Sequence, residues 1–224
     1  MDVFLFYLFP IIFVLIFLGI TYFWEARRSK KIRAIAAKLG WQFHQDNRNN
    51  ILPINPDFRL TTIWYRRQNF RNILFCNYQG KNIYIFENYY YANKSKNYRT
   101  GVLIEDLRLQ LPDFSLEPDA LFLNKFGQKW RKKKIFFDSH PRFSENYLLL
   151  GEDEKRIRQL FNEAVLYFYE TQGLLLGIRT EVRGKQFLVY RRNYRYQPEE
   201  MERFLSDCLR VFGLFDYQTN SGNF

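Results

Sequence analysis

Hydrophobic positions along the chain change rhythm twice. From Val3 to Trp24 the run "VFLFYLFPIIFVLIFLGITYFW" carries no charge. About 22 residues rising about 1.5 Å each give a helix of about 33 Å, which crosses the hydrocarbon core of a bilayer. Pro10 lies inside the run, and membrane helices tolerate proline where local adjustments satisfy the freed carbonyl. A cleaved signal peptide would carry a positive n-region, a shorter apolar core and a small-residue cleavage site, and the run has none of these. From Glu25 to Leu39 the apolar positions become periodic, with Ile32, Ile35, Ala36 and Leu39 at helical spacing and Gly40 in the place of a C-terminal cap.

Beyond Gly40 the pattern shifts to short runs. "HQDNRNNILPINP", from His44 to Pro56, is polar and broken by proline, and reads as a loop. "NILFCNYQGKNIYIFENYYY" holds two β-rich runs around Gln79 and Gly80, a hairpin whose third strand is "YRTGVLIEDLRL". The two prolines of "LPDFSLEPD" argue for an extended or irregular segment. "ALFLNKF" fits a strand or a short helix, and "KIFFDS" and "YLLLG" read as short strands.

A soluble helix follows. Asp153 is its cap, Glu152 and Glu154 sit at its positive end, and Ile157, Leu160, Phe161, Ala164, Val165 and Phe168 form one stripe that Gly173 closes. A second hairpin turns at Arg183 and Gly184. The last helix has Pro198 in its first turn, an apolar face from Met201 to Phe212, and a stop at Gly213. The phrases "GKNIYIF" and "GKQFLVY" are alike, which the demands of tight turns and sheet interiors explain, with an ancient repeat of a sheet-plus-helix unit as the alternative. The order predicts an α+β fold with mostly antiparallel strands. Its parts are a transmembrane helix over 1–24, a basic juxtamembrane helix over 25–40, a cytoplasmic domain over 41–215 and a flexible tail over 216–224.

Charge adds a direction. The net charge of +11 resembles a nucleic-acid signal until it is divided along the chain: residues 25–100 hold 15 Lys and Arg against 4 Asp and Glu, whereas 101–224 hold 19 against 18. The excess therefore lies beside the apolar run. Tyr22, Phe23 and Trp24 fall at the headgroup layer, and five cations follow at once: Arg27, Arg28, Lys30, Lys31 and Arg33. A cation at the bilayer centre costs about 2.5–3.5 kcal/mol, so Arg27 and Arg28 mark the edge of the span. The opposite flank carries Asp2. By the positive-inside rule the N-terminus is expected outside and the rest of the chain on the cytoplasmic side, where each nearby cation gains about 1 kcal/mol from anionic lipid. These five residues are the expected lipid-interface set.

Candidate chemistry is sparse. Cys76 and Cys208 stand alone in apolar surroundings and read as buried thiols in a reducing compartment. Asp138, Ser139 and His140 are consecutive, and adjacent side chains diverge on a strand, so they do not assemble a triad. Glu152, Asp153 and Glu154 are explained by the helix dipole, and "DNRNN" from Asp46 lacks the spacing of a calcium loop. The sequence holds no phosphate loop, nucleophile elbow or zincin helix, and no cofactor or metal is expected. Aromatics interleave with cations in "IWYRRQNFRN", "NYYYANKSKNYR" and "YRRNYRY", which suits single-stranded nucleic acid but equally suits tyrosine-rich strands or a surface resting on headgroups. "KWRKKK", from Lys129, reads as a solvated loop.

Two segments, "LPDFSLEPDALFLNKFGQKW" and "IFFDSHPRFSENYLLLGEDEKRIRQLF", together with "KIRAIAAKLGWQF", resemble uncharacterised bacterial proteins, notably cyanobacterial, anchored by one N-terminal span. The resemblance runs from Lys31 to about Arg192. It implies a bacterial inner-membrane protein and carries over no catalytic or binding residue. The expected role is a non-enzymatic scaffold that contacts anionic lipid and a protein partner. Single-stranded nucleic-acid binding at the membrane, and an enzyme whose site follows no motif, are the alternatives.

Overall fold

The computed structural model describes the backbone of residues 2–62, 69–92, 95–118 and 134–220, and the side chains of 9–61, 69–91, 95–118 and 134–216. The first element, α1 (Asp2–Leu39), is one helix of 38 residues, about 57 Å long, and it passes through Pro10 without a break. From Phe9 to Trp24 its large apolar side chains are bare, Trp24 at 72 % exposure. Among the described residues α1 is the one helix long and apolar enough to cross a membrane. Further on, Ile32 and Ala36 are buried in the domain core. Gly40, with φ +70, ends the helix: its N–H donates to the Ala37 carbonyl at 3.2 Å, and the Trp41 N–H to that of Ala36 at 2.8 Å. This is the Schellman geometry that a left-handed glycine permits.

The chain then forms β1 (Gln42–Asp46), α2 (Arg59–Thr62), β2 (Asn69–Tyr78), β3 (Lys81–Ala92), β4 (Ser95–Glu105), β5 (Phe114–Pro118), α3 (Pro141–Asn146) and β6 (Tyr147–Gly151). After these come α4 (Glu154–Leu160), α5 (Glu163–Phe168), a π-helical turn (Tyr169–Gly173), α6 (Leu174–Leu176), β7 (Ile178–Arg183) and β8 (Gln186–Arg191). A 3-10 turn (Pro198–Glu200) leads into α7 (Met201–Asn220). All strands join one antiparallel sheet in the order β1-β2-β3-β4-β8-β7-β5-β6. The architecture is α+β, with one long apolar N-terminal helix.

Alternation along the strands divides the core in two. On one face Leu74, Ile85, Val102, Phe114, Phe187 and Val189 pack against Ile32 and Ala36 of α1, Ile157, Val165, and Phe204 and Phe215 of α7. On the other, Tyr84, Phe86, Leu103, Leu188 and Tyr190 are covered by Leu52, Phe58 and Leu60 from the segment between β1 and β2.

Several boundaries differ from the sequence expectation. His44 to Asp46 belong to the edge strand β1 rather than to a loop. "FSLEP" is the fully buried strand β5. Residues 134–137 are not a strand, although the Ile135 N–H donates to the Leu149 carbonyl of β6 at 3.0 Å. The single helix expected after Asp153 is two, because the Asn162 side chain accepts from the Val165 N–H at 3.1 Å and restarts the helix. Ala164, expected on the buried stripe, is exposed, and Gly177 (φ +59), not Gly173, ends that helical stretch. Gly213 lies inside α7, so residues 216–220, expected in a flexible tail, are helical. The second hairpin turns at Gly184 and Lys185, since Arg183 pairs with Gln186, whereas the first turns at Gln79 and Gly80. The glycines that align the two hairpin phrases thus occupy different turn positions. "ALFLNKF" lies outside the described residues.

Candidate functional site

Where α1 leaves its apolar half, an ionic cluster fastens it to the sheet. Glu87 follows Ile83 and Ile85 on the face of β3 that looks at α1, and its side chain is fully buried. It accepts from Arg28 Nε at 2.8 Å, from Arg195 Nε at 3.0 Å and Nη2 at 2.9 Å, and from Asn72 Nδ2 at 2.6 Å. Asn72 reaches it from a bulge in β2, where its φ is +49 and the register to β3 shifts. Arg195 is positioned by the segment after β8, which is stitched to β4: the Thr100 N–H donates to the Tyr194 carbonyl, and the Tyr196 N–H to Thr100 Oγ1, both at 3.1 Å.

The same Arg195 forks onto Glu25 of α1, with both contacts at 2.7 Å, and Arg71 Nη1 lies 3.1 Å from that carboxylate. Tyr98 donates to Glu25 at 3.3 Å. Burial alone would raise the Glu25 carboxyl, but the hydrogen bonds and charge of Arg195, with Arg71 and Lys96, bring it down to about 2. Burial likewise opposes ionisation of Glu87, and Arg195 and Arg28 overcome it and hold its pKa below the ordinary value. Three guanidinium groups thus surround two carboxylates at the point where the helix exits.

Of the five expected lipid-interface residues, Arg27, Lys30 and Arg33 are exposed, with the Arg33 guanidinium 4.9 Å from the Phe43 ring centre. Lys31 is exposed and paired with Glu199 at 2.7 Å. Arg28 is turned inward to Glu87, with only 11 % of its side chain exposed, and also donates to the Tyr196 carbonyl. The sequence reading grouped these cations by charge and missed the partners that separate them. Glu87 had a signal, a lone carboxylate in phase with Ile83 and Ile85.

A second ionic network lies on the far face of the sheet. Glu117 pairs with Arg179 and Arg59, while Glu181 accepts from Tyr190 Oη at 2.9 Å and from the Arg59 N–H at 2.8 Å. Arg183 donates to Ser115 Oγ at 2.7 Å. Here burial prevails over Arg179 and Arg59 and pushes the Glu117 pKa up. Arg59, Ser115 and Arg183 also line a cleft of about 970 Å³, which Asp57, Asp113 and Arg156 share.

The remaining motifs resolve into structure. Asp138 and Ser139 form a turn, not a strand, and Ser139 Oγ does reach His140 Nδ1, at 3.1 Å, contrary to the divergence expected of strand neighbours. The acid at the other ring nitrogen is Glu163, 3.5 Å away and 90 % exposed, so the buried orienting carboxylate of a triad is missing from this pair. Asp153 caps α4 by accepting from the Arg156 N–H at 3.0 Å. Tyr190, Arg195 and Tyr196 of "YRRNYRY" are occupied internally, Tyr196 stacking on Phe204 with ring centres 4.2 Å apart. Cys208 is buried and Cys76 half-buried, neither in a disulfide, and burial raises both thiols. No group of metal-ligating side chains occurs among the described residues. Residues 63–68 of "IWYRRQNFRN" and 129–133 of "KWRKKK" lie outside them. No family profile, curated protein or solved structure matches this chain.

Proposed function

We propose that this is a single-pass bacterial inner-membrane protein, N-terminus outside, whose cytoplasmic domain is a non-enzymatic docking module that rests on anionic headgroups and recruits a protein partner. One observation carries the reading: the exposed apolar half of α1 continues without a break into the half that packs in the core, so the domain is fixed to its span. Arg27, Lys30 and Arg33 then project beside the exit, where anionic lipid attracts them. Arg28 serves the domain instead.

The test is hydrogen exchange over residues 25–40 of the full chain in anionic and in zwitterionic vesicles. Greater protection in the anionic vesicles is expected, and its loss when Arg27, Lys30 and Arg33 become Gln. Equal protection would remove the lipid contact, and a C-terminal reporter accessible only from outside the cell would reverse the orientation. One dominant complex captured by cross-linking in native membranes supports the scaffold role.

The cleft at the end of β5, β6 and β7 favours a second reading, an enzyme without a familiar motif, because carboxylates and guanidinium groups converge there. Its test is a screen of small anionic substrates for stabilisation of the full chain that Arg59→Met abolishes.

A further inference from the structure

We infer that the outermost pairs of β3 and β4 form a second membrane contact, seating Tyr91 and Lys96 in the headgroup layer beside the exit of α1. The inference rests on the reading of α1 as a span and adds a surface that the basic helix does not include.

Direction comes from two rows of contacts. Moving toward the N-terminus of α1, Arg28 meets Glu87 and then Glu25 meets Tyr98, the residue that β4 pairs with Tyr89. Helix and hairpin therefore climb toward the membrane together. Three more pairs lie beyond that level, Tyr90↔Asn97, Tyr91↔Lys96 and Ala92↔Ser95. At about 3.4 Å per residue the last of them stands about 10 Å further on, equivalent to about seven helical residues. That reach carries the last pair past Tyr22, Phe23 and Trp24, all exposed, to about the level of Leu18, and leaves Tyr91 and Lys96 a residue short of it.

The chemistry of these pairs fits the headgroup layer. Alternation from Glu87 places Tyr89 and Tyr91 on the side of the hairpin that faces α1, and cross-strand pairing places Tyr98 and Lys96 on the same side. The Lys96 ammonium stands 4.1 Å from the Tyr89 ring centre and 5.0 Å from that of Tyr98, and Tyr89 meets Tyr91 edge-on at 6.3 Å. Tyr91 remains 56 % exposed. Rings with a polar end next to a cation are what the boundary between acyl chains and anionic headgroups accepts. The occupant is therefore the bilayer that already holds α1.

The test uses the full chain in anionic vesicles, with nitroxides at Ser95→Cys in the outermost pair, Leu107→Cys at the far end of the sheet and Phe13→Cys in the span, each with Cys76→Ser. The buried Cys208 is retained. A headgroup-bound relaxant is expected to act on the label at 95 and not on that at 107, and Tyr91→Ser with Lys96→Gln should abolish the effect at 95. If labels 95 and 107 are equally open to a water-soluble relaxant while label 13 is in hydrocarbon, the hairpin contact is wrong and the span stands. If the effect at 95 survives the double substitution, Tyr91 and Lys96 do not make the contact. Should label 13 itself be open to water, the span reading fails first.

Discussion

The two faces of the sheet each bury carboxylates among arginines, and the chemistry comes out differently. At the helix exit Glu87 accepts from two guanidinium groups and an amide, and stays ionised despite full burial. On the far face Glu117 also has two arginines, yet burial prevails and its pKa rises. Among the described residues Arg179 Nε and Nη2 and Arg99 Nε have no hydrogen-bond partner, whereas the exit cluster leaves the Asn72 amide oxygen without one but both of its carboxylates fully engaged. A buried ion pair is secured by completing the hydrogen bonds around it, not by proximity of charge alone. The completed cluster joins α1, β2, β3 and the segment after β8, whereas the incomplete one ties α2 to the sheet.

The largest expected effect breaks the completed cluster. Glu87→Ala leaves Arg28 and Arg195 buried without their shared acceptor, and should cost about 3–5 kcal/mol by denaturant unfolding of the full chain in detergent. Arg28→Met should cost nearly as much. Arg99→Met, which removes a guanidinium with an unpartnered Nε but also its stacking on Tyr90 and a long hydrogen bond of 3.4 Å to the Leu60 carbonyl, should fall within about 1 kcal/mol of the parent. If Arg99→Met proves as costly as Glu87→Ala, the contrast between the faces is wrong.

Acidification should sharpen the same contrast. Glu117, with a raised folded pKa, weakens the fold above its unfolded value, and this cost is relieved as pH falls through the folded value. Glu25, depressed to about 2, contributes stability that is present above its unfolded pKa, about 4.3, and is lost as pH falls toward 2. Stability measured against pH should therefore rise on mild acidification and then drop. Glu117→Gln should remove the rise, and Glu25→Gln should flatten the drop. Tyr98→Phe should also cost little, a loss of about 0.5–1.5 kcal/mol for one hydrogen bond to Glu25.

What was legible in the sequence was local. The apolar run, the Gly40 cap, the turn at Gln79 and Gly80 and the Asp153 cap follow from neighbouring residues, and the structure contains each. The break at Asn162 was hidden because one capping side chain interrupts a stripe that resumes in phase on the other side. Gly213 reads as a stop, but Phe215 must reach Phe114, Phe161 and Phe187, and the core draws the helix past the glycine. The ionic clamp was the least legible part. Its partners are 59, 108 and 170 positions apart, so charge could be counted while pairing could not.

The Schellman stop at Gly40 also sets a height. From Glu25 to that stop α1 extends about 22 Å, and β3 runs a similar distance from Glu87 back to the turn at Gln79 and Gly80. On the proposed reading of α1 as a span, the clamped rod would hold that turn at a set depth beneath the lipid, beyond the immediate pull of surface charge at physiological salt. A soluble protein docking there would meet this domain clear of the headgroups, at a standoff chosen by helix length rather than by a tether's slack.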